Sequence, residues 1–456
     1  METKTIRGEL RQAAEMIENG GLVAVPTETV YGLAANGLDA AAVEKIYEVK
    51  GRPAVKPLSL MVPGPESMEE YCLDVPPQAK LLAERFWPGP LTIVLKARET
   101  IPPIVLAGGD TVGLRCPDHR MTLELLKLTG LPFAAPSANP SGEESPKSAE
   151  RVLEYFGGRI DAVVDGGECG IGRESTIISL AQTPYRVLRR GALAEDEIAD
   201  ALVDGMKIIG ITGPSGSGKT TALKVLEEMG ALVADCDRVY HELLENDGEL
   251  LCALGARFPA ALKDGSIDRP ALASIVFSDP AELLALNEIS HAFVLRELTR
   301  RLRDHAMAGG TLAAIDAIEL ISSGIAERCD LVVGVLAPRE ERIRRIVQRD
   351  GITPERAAAR VDAQHGDDYF REHCGLILEN SGDGERFYEN CKKIFTEVIE
   401  NHGGTEGQTV LRAEERLRSP RHRRAREVRG VLPRVHGLPQ RLPHRARSGQ
   451  ERDRGG

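Results

Sequence analysis

The sequence predicts an α/β protein with two folded sections followed by an arginine-rich tail. Its 456 residues exceed the usual size of one domain, and short apolar runs alternate with helical patterns along two separate stretches. From residue 402 onward the apolar periodicity stops and arginine dominates. We therefore expect a mixed α/β domain with a twisted sheet at residues 1–202, a linker at 203–206, a domain with a parallel sheet flanked by helices at 207–401, and a disordered tail at 402–456.

Composition limits the class of protein. The sequence is 42% hydrophobic and 28% charged, as in globular proteins outside the membrane. No apolar run reaches the roughly 18 residues that span a bilayer, and the N-terminal stretch METKTIRGELRQAAEMIENGG has acids and no apolar signal core. We therefore expect a cytoplasmic protein. The eight cysteines lie far apart without a C-x-x-C pair, which indicates reduced thiols and neither a disulfide frame nor a zinc site.

The tail and the rest of the chain have opposite charge. From Val410 onward fourteen arginines and five acids give +9, which leaves −20 for the rest of a chain whose net charge is −11. A broad electrostatic footprint for nucleic acid is therefore absent outside the tail, and any contact with RNA would need a local basic site or the tail. The tail itself fits an RNA-binding arm, a solvated extension or the translation of a shifted reading frame, and the sequence leaves these open.

Apolar runs predict strands, and a period near 3.6 residues predicts helices. In the first section the predicted strands are 21–26, 91–95, 112–114, 162–164 and 176–180, and the predicted helices are 6–17, 41–49 and 121–128. In the second section the predicted strands are 207–212, 231–234, 312–315 and 331–336. Continuous apolar strands that alternate with helices are typical of a buried parallel sheet. The acidic segment 194–205 links the two sections.

Residues 213–220 read GPSGSGKT, which is the phosphate-binding pattern G-x-x-x-x-G-K-[ST]. The pattern follows the apolar run IIGIT and precedes a helical one, as that function requires. Its glycines let backbone N–H groups surround phosphate oxygens, and the helix adds the positive end of its dipole. Lys219 is expected to reach the β- and γ-phosphates and Thr220 to bind Mg²⁺, so this section is predicted to be a P-loop kinase that binds ATP.

Acids and arginines of the second section are further candidates. Asp235 and Asp237 follow a predicted strand at the carboxyl edge of the sheet, so one of them can take a proton from an attacking hydroxyl. The alternative for Asp237 is a helix N-cap, because RVYHELL follows it. Asp316 ends the run TLAAID and is expected to hold Mg²⁺ through water. The basic stretch 339–360 fits a lid over ATP or a solvated surface helix.

Beyond the P-loop, residues 207–399 resemble the dephospho-CoA kinase family. The matching blocks are IGITGPSGSGKT, ADCDRVYHELL, IDRPALASIVFSD, LNEISHAFV, VLAPREERIRRIVQRDG, ARVDAQ and ILENSG. The resemblance implies transfer of the γ-phosphate of ATP to the ribose 3′-hydroxyl of dephospho-CoA. It implies that Lys219 and Asp237 are catalytic, with Asp237 as the base. The implied ATP-binding residues are Gly213, Pro214, Ser215, Gly216, Ser217, Gly218, Lys219, Thr220, Thr221, Arg349 and Asn380; the implied acceptor-binding residues are Asp237, Asp268, Arg269 and His291; and Arg360 joins the implied lid.

One block departs from the family pattern. Residues 316–324 read DAIELISSG, where the family usually has D-x-P-L-L-F-E-S-G. Ile318 takes the position of the proline, and Ser322 takes that of the glutamate. Substrate fit and rate are therefore open, whereas the phosphate-handling residues are intact and an active kinase is expected.

Three polar segments of the first section are candidate ligand loops. They are VPTETVYGLAAN at residues 25–36, KGRPAVK at 50–56 and PSANPSG at 136–142. The first can offer hydroxyl groups to a small polar ligand. The second fits a triphosphate site or a basic surface turn, and the third fits a nucleotide-binding loop or a plain polar turn.

Together these segments resemble the YrdC family, the L-threonylcarbamoyl-adenylate synthases. The resemblance covers residues 6–193 through the blocks PTETVYGL, KGRPAVKPL, FWPGPLTIVL, TVGLRCPDH, APSANPSG, ESTIISL and VLRRGAL. The family hallmark is a K-x-R and S-x-N pair, found here as Lys50 with Arg52 and Ser137 with Asn139. The family joins threonine, bicarbonate and ATP into threonylcarbamoyl-AMP, which serves the modification of a tRNA adenosine beside the anticodon.

This resemblance implies a set of binding residues. Lys50 and Arg52 are the implied catalytic residues. The implied threonine ligands are Thr29, Arg115 and Ser175, and the implied ATP ligands are Lys50, Arg52, Lys56, Thr111, Ser137, Asn139, Ser145 and Arg189. The chemistry needs cations and a closed cavity, because a carbamate is unstable in water. The implied partners are L-threonine, bicarbonate and tRNA or the machinery that transfers the threonylcarbamoyl group.

The sequence therefore predicts a bifunctional cytoplasmic enzyme that uses ATP and Mg²⁺. The alternative for the first section is an RNA-binding module that makes no adenylate. The alternative for the second section is a different or degenerate small-molecule P-loop kinase.

Overall fold

The computed structural model describes residues 2–53, 55–263, 265–317 and 319–400. The tail predicted at 402–456 lies outside the described residues, and so does Ile318. In the described part, no helix has both the length and the apolar character needed to cross a membrane. All eight cysteines are free thiols, and every one except Cys252 is buried.

The first section is built on a mixed sheet. Its described strands are β1 (Lys4–Ile6), β2 (Val23–Val25), β3 (Gly32–Asn36), β4 (Ser59–Met61), β5 (Leu91–Lys96), β6 (Thr111–Arg115), β7 (Phe133–Ala134), β8 (Ala162–Val164), β9 (Thr176–Ser179) and β10 (Arg186–Arg189). They lie in the order β1-β8-β2-β3-β7-β4-β6-β5-β9-β10. The helices are α1 (Leu10–Glu18), α2 (Ala40–Lys50), α3 (Ser67–Tyr71), α4 (Pro77–Phe86), α5 (Pro103–Leu106), α6 (Arg120–Thr129), α7 (Ala149–Phe156) and α8 (Glu195–Asp204).

The second section is built on a parallel sheet with helices around it. Its strands are β11 (Lys207–Thr212), β12 (Leu232–Asp235), β15 (Leu312–Asp316), β16 (Leu331–Leu336) and β17 (Leu376–Glu379), in the order β12-β15-β11-β16-β17, and a separate hairpin joins β13 (Leu262–Lys263) to β14 (Ser266–Ile267). The helices are α9 (Lys219–Glu228), α10 (Cys236–Asn246), α11 (Gly248–Arg257), α12 (Arg269–Ser278), α13 (Pro280–Met307), α14 (Arg339–Asp350), α15 (Pro354–Asp362), α16 (Asp367–His373) and α17 (Gly384–Glu400), with 3-10 turns at Pro259–Ala261 and Ile325–Arg328.

The predicted fold class is confirmed in both sections, and each predicted strand is present within two residues at either end. The predicted helix at 6–17 is wrong at its start. Residues Lys4–Ile6 form strand β1, which pairs in parallel with β8, and the helix begins only at Leu10. The apolar Ile6 is buried by the sheet and not by a helical face. The pairing partner is more than 150 residues away, so the local pattern could not reveal it.

The acidic segment between the sections is a helix, although the sequence presents it as a short link. Helix α8 packs against α4 of the first section and α13 of the second. Its N-terminal turn carries three acids, which the helix dipole favours at that end. Arg303 on α13 binds Asp200 at 2.6 and 2.7 Å and Asp196 at 2.7 Å. The division at residues 202 and 207 stays a prediction, because the core is continuous through Leu202, Met206 and Ile208.

Candidate functional sites

The loop of residues 213–218 joins β11 to α9 at the carboxyl edge of the parallel sheet. Ligands of α/β sheets bind at this edge, beside the strand where the chain changes direction across the sheet. Gly213, Gly216 and Gly218 have φ angles of +137°, +79° and +107°, which favour glycine. A Cβ atom on Gly213 would lie 2.2 Å from the carbonyl oxygen of Val335, so the backbone also needs the space.

Lys219 begins helix α9 and folds back over this loop. Its Nζ donates to the carbonyl oxygen of Gly213 at 2.8 Å. Burial lowers the pKa of Lys219, while the nearby Asp316 carboxylate acts in the opposite direction.

The loop opens into a cavity that is lined by loop residues, by acids and by arginines. The lining residues are Ser215, Gly216, Gly218, Lys219, Thr220, Asp237, Asp316, Arg345, Arg349 and Arg360.

Asp235 and Asp237 have different roles, which the sequence left open between a helix N-cap and a proton acceptor. Asp235 is the N-cap of α10, since its Oδ1 accepts from the N–H groups of Asp237 at 2.9 Å and Arg238 at 3.1 Å. The carboxyl group of Asp237 is therefore not the cap, and it lines the cavity. Burial, together with the charge of Asp235, raises the pKa of Asp237. A raised pKa suits a proton acceptor.

Asp316 lies beside these acids because β15 pairs with β12, with Asp316 opposite Asp235 in the register. Its Oδ1 atom is buried and has no hydrogen-bond partner among the described residues. Burial raises the pKa of Asp316 to about 6. Burying a carboxylate oxygen that accepts no hydrogen bond costs free energy unless a cation or a water molecule contacts it.

The remaining predicted residues of this section lie at varying distances from the cavity. Arg349 and Arg360 line it, and both donate to the carboxylate of Asp350, at 2.6 and 2.8 Å. Asn380 is buried and donates to the carbonyl oxygen of Ser217 at 2.9 Å. The structure places four other predicted residues outside the lining: Thr221 in the first turn of α9, Asp268 as the N-cap of α12, Arg269 at the start of α12, and His291 on α13.

The departing segment retains a carboxylate near the altered position. Ser322, which stands where the family usually has glutamate, donates its hydroxyl to the carboxylate of Glu319. Glu319 lies three residues earlier, on the same turn.

Three residues that the sequence analysis did not single out contact the P-loop. They are Arg342 and Arg345 on α14 and Gln364 after α15. The spacing of three between the arginines places both on one helical face, and this was the available signal. Gln364 ends the matching block ARVDAQ, which was the signal for it, but its distance from the P-loop in sequence hid the contact.

The first section contains a second cavity, at the junction of β3, β5, β6 and β9. Its polar lining consists of Arg52, Ser59, Thr92, Arg115, Ser137, Glu174, Ser175 and Arg189. Five of these are predicted ligands, and they come from five separate segments of the chain. The cavity thus collects cations and hydroxyl groups without using a glycine-rich loop.

Arg115 is the most deeply buried of the three arginines that line this cavity. Its Nη2 donates to the Thr29 hydroxyl at 2.8 Å and lies 2.8 Å from the carboxylate of Glu28. Thr29 is itself fully buried and contacts the Thr27 hydroxyl at 2.9 Å. Thr29 therefore orients Arg115 from behind, and the hydroxyl of Ser175 lines the cavity in front.

Arg189 and Glu174 form the other polar wall. Arg189 lies 2.5 Å from the carboxylate of Glu174 and donates to the Ser175 carbonyl oxygen at 2.9 Å and to its hydroxyl at 3.1 Å. The Ser145 hydroxyl donates to Glu174 at 3.1 Å. Glu174 was not predicted, and it stands beside Ser175 in the block ESTIISL, which was the signal for it.

Lys50 lies behind the cavity and not in its lining. It is 4% exposed, and its ammonium group donates to the carbonyl oxygens of Ser137 and Asn139. Burial lowers the pKa of Lys50 to about 8. Asn139 is also buried and donates to the carbonyl oxygens of Pro140 and Glu143. The K-x-R and S-x-N residues thus meet, with Lys50 anchoring the loop that carries Ser137.

Two predicted ATP ligands lie away from this cavity. The side chain of Lys56 is exposed, and Thr111 begins β6 at the end opposite Arg115. Four residues of an antiparallel strand span about 13 Å. Their predicted contacts with ATP are not tested by this arrangement and stay predictions.

Both sections match families of known proteins. Residues 15–191 match the Sua5/YciO/YrdC family, whose description is "Telomere recombination", and residues 207–385 match the family described as dephospho-CoA kinase. The chain is 50% identical over 190 residues to the threonylcarbamoyl-AMP synthase of Pyrococcus abyssi, which covers 42% of this chain and 56% of that protein. The chain thus spans only about half the length of this relative.

Two shorter relatives are covered almost completely. A protein of Methanocaldococcus jannaschii, provisionally named a threonylcarbamoyl-AMP synthase, is 37% identical over 183 residues, which cover 40% of this chain and 86% of that protein. The dephospho-CoA kinase of Corynebacterium glutamicum is 31% identical over 193 residues, which cover 42% of this chain and 96% of that protein. The chain therefore belongs to two families at once, that of the YrdC-type threonylcarbamoyl-AMP synthases through its first section and that of the dephospho-CoA kinases through its second.

Proposed function

We propose that the chain is a bifunctional enzyme with two ATP sites. The first section makes threonylcarbamoyl-AMP from L-threonine, bicarbonate and ATP, for modification of a tRNA adenosine. The second section transfers the γ-phosphate of ATP to the 3′-hydroxyl of dephospho-CoA. The observation that carries this proposal is that each family's motif residues converge on a separate cavity, one at the P-loop and one between β5, β6 and β9.

In the second section, the P-loop amides and Lys219 bind the phosphates of ATP. Asp237 lies in the same cavity with a raised pKa, so it accepts the proton of the attacking hydroxyl as the new phosphate ester forms. Arg345, Arg349 and Arg360 line the cavity and stabilise the negative charge that develops on the moving phosphoryl group. Dephospho-CoA is expected on the side of α12 and α13, where Asp268, Arg269 and His291 lie.

The residues around the P-loop also fit Mg²⁺. Thr220 offers a hydroxyl, and the buried Oδ1 of Asp316 has no donor among the described residues. These hard oxygen ligands are the type that Mg²⁺ prefers, with water completing its shell. When bound, the ion neutralises charge on the β- and γ-phosphates.

In the first section, Arg115, which Thr29 orients from behind, binds the carboxylate of threonine, and the hydroxyl group of Ser175 completes that site. Arg52, Arg189 and Ser137 line the part of the cavity that receives the ATP phosphates. The threonine amine attacks the carbon of bicarbonate with loss of water, or that of carbon dioxide with loss of a proton, to give a carbamate. A carbamate oxygen then attacks the α-phosphorus of ATP, and the bond from that phosphorus to the leaving pyrophosphate breaks. The reaction needs positive charge and shelter from water more than it needs a nucleophilic side chain.

The test uses the full chain, because α8 packs on both sections and a cut near Gly205 would expose its faces. We expect pyrophosphate release to require threonine and bicarbonate together. We also expect ATP consumption with dephospho-CoA and not with nucleosides. Pyrophosphate release without threonine would contradict the first assignment, and equal consumption with nucleosides would contradict the second.

A further inference from the structure

The outer side of the P-loop is held by side chains that belong to neither its strand nor its helix. Ser215, the third residue of the motif, has all of its polar groups bound. Its N–H donates to Oε1 of Gln364 at 2.9 Å, and its hydroxyl accepts from Nε2 of Gln364 at 3.0 Å. Its carbonyl oxygen accepts from Nε of Arg342 at 3.2 Å. Arg342 also donates to Oε1 of Gln364 at 3.2 Å, which closes the network.

Arg342 is an unusual residue for this position because it is a buried cation. It is 5% exposed, and no described carboxylate lies within ion-pair distance of its guanidinium group. Burial lowers the pKa of Arg342, and the Asp367 and Asp362 carboxylates, which lie beyond ion-pair distance, only oppose that effect. The hydrogen bonds of the guanidinium group must therefore help to compensate the cost of burying the charge. Those bonds go to Ser215 and Gln364 alone among the described residues, which ties the cation to the shape of the loop.

Two further side chains continue the same arrangement along the loop. Arg345 donates to the carbonyl oxygens of Gly216 at 3.0 Å and Ser217 at 3.2 Å. Asn380 donates to the Ser217 carbonyl oxygen at 2.9 Å and accepts from Arg345 at 3.1 Å. The carbonyl oxygens of three consecutive loop residues are therefore fixed from outside.

This anchoring has a consequence for the N–H groups. In a trans peptide the C=O of one residue and the N–H of the next point in opposite directions across a rigid plane. Fixing the carbonyl oxygens of Ser215 and Ser217 outward therefore turns the N–H groups of Gly216 and Gly218 inward. Inward N–H groups are what a phosphate-binding loop requires. Gly216 also packs on the backbone of α14, since a Cβ there would lie 2.8 Å from the Arg342 carbonyl oxygen.

We propose that Gln364 and Arg342 form a latch that holds the P-loop in its phosphate-binding shape and thereby sets the affinity of the second site for ATP. The latch residues do not touch ATP, so they are positioning residues. They also connect the loop to α14 and α15, the helices that carry Arg349 and Arg360. This inference rests on the proposed kinase function of the second section.

The test replaces Gln364 with methionine in the full chain, which keeps the length of the side chain and removes its hydrogen bonds. Two hydrogen bonds to Ser215 and one to Arg342 are lost, so the KM for ATP and the Kd for ATP with Mg²⁺ are expected to rise at least about tenfold. The KM for dephospho-CoA is expected to stay within about twofold, because the latch lies on the ATP side. The matched control is Gln348→Met, which makes the same change at an exposed position of α14.

Two other variants keep the result interpretable. Gln364→Glu retains an oxygen for the Ser215 N–H and for Arg342, so it is expected to recover most of the ATP affinity. If Gln364→Met does not fold, Arg342→Met attacks the same latch from α14 and is expected to raise the KM for ATP selectively. An unchanged ATP affinity in the folded variants, or an equal rise in KM for both substrates, would overturn the latch. If the unaltered chain binds no ATP at this loop, the kinase assignment itself fails.

Discussion

The two cavities of this chain, both proposed to bind the phosphates of ATP, offer different kinds of groups. The second cavity offers backbone N–H groups, one lysine and a helix N-terminus, on a contiguous stretch of eight residues. The first site has side-chain cations at Arg52, Arg115 and Arg189, which come from separate segments. A site made of backbone N–H groups depends on the φ angles that glycine allows in the loop. A site made of side chains depends on the residues that orient each cationic group.

The two sites therefore differ in the supporting residues whose substitution would disrupt them. In the first site Arg115 is oriented by Thr29 and Glu28, and the Ser137 loop is anchored by the buried Lys50. In the second site the P-loop is anchored by side chains that contact its carbonyl oxygens. The supporting residues of the first site hold a cationic side chain and a loop, whereas those of the second site hold the backbone that is proposed to bind phosphate.

Within the first cavity, the largest expected effect is at its threonine end. Arg115→Met removes the cation that pairs with the substrate carboxylate, so the KM for threonine is expected to rise about 10²-fold. Dephospho-CoA phosphorylation on the same chain reports whether the protein is still folded, and Arg85→Met supplies an exposed control on α4. An unchanged KM for threonine would show that the carboxylate binds elsewhere.

A titration distinguishes the buried lysine of the first site from its exposed counterparts. The pKa of Lys50 is lowered by burial to about 8, from 10.5. Between these pH values the unfolded chain binds the proton and the folded chain does not, so stability rises with pH. The unfolding free energy of the wild type relative to Lys50→Met is expected to increase by on the order of 2 kcal/mol from pH 8 to pH 10.5. A flat difference in denaturant melts would show that the lysine is not desolvated.

A smaller effect is expected on activity when the same anchor is removed. Lys50→Met frees the carbonyl oxygens of Ser137 and Asn139, so the loop that carries Ser137 shifts and the KM for ATP in the first reaction rises about tenfold. Lys127→Met on α6 makes the same change at an exposed position and should have no effect. Loss of kcat with an unchanged KM would indicate that Lys50 acts on the reacting groups directly.

The smallest effect concerns the contact between the two sections. Arg303→Ala removes the ion pairs with Asp196 and Asp200 and is expected to lower the unfolding free energy by about 1 kcal/mol. Arg300→Ala is the matched control, because its ion pairs with Glu297 and Asp304 stay within α13. Equal destabilisation by both substitutions would mean that the contact between α8 and α13 adds nothing specific.

The sequence was most informative where a function is local in the chain. The strand before the P-loop was predicted to the residue and the helix after it to within two residues. Four of the five strands of the parallel sheet were visible as apolar runs, whereas β17 was missed. The sequence was least informative where distant segments meet. The strand β1 pairs with a partner near residue 163, and Gln364 reaches Ser215 across 149 positions. The sequence also left the roles of Asp235 and Asp237 open, and only the capping hydrogen bonds separate them.

Reciprocal loss of activity in two full-length variants tests the independence of the two sites most directly. Lys219→Ala is expected to lower CoA formation by about 10²- to 10³-fold and to leave threonine-dependent pyrophosphate release unchanged. Arg52→Ala is expected to lower pyrophosphate release by about 10²-fold and to leave CoA formation unchanged. If either variant lost both activities while remaining folded, the account of two separate phosphate sites would be contradicted.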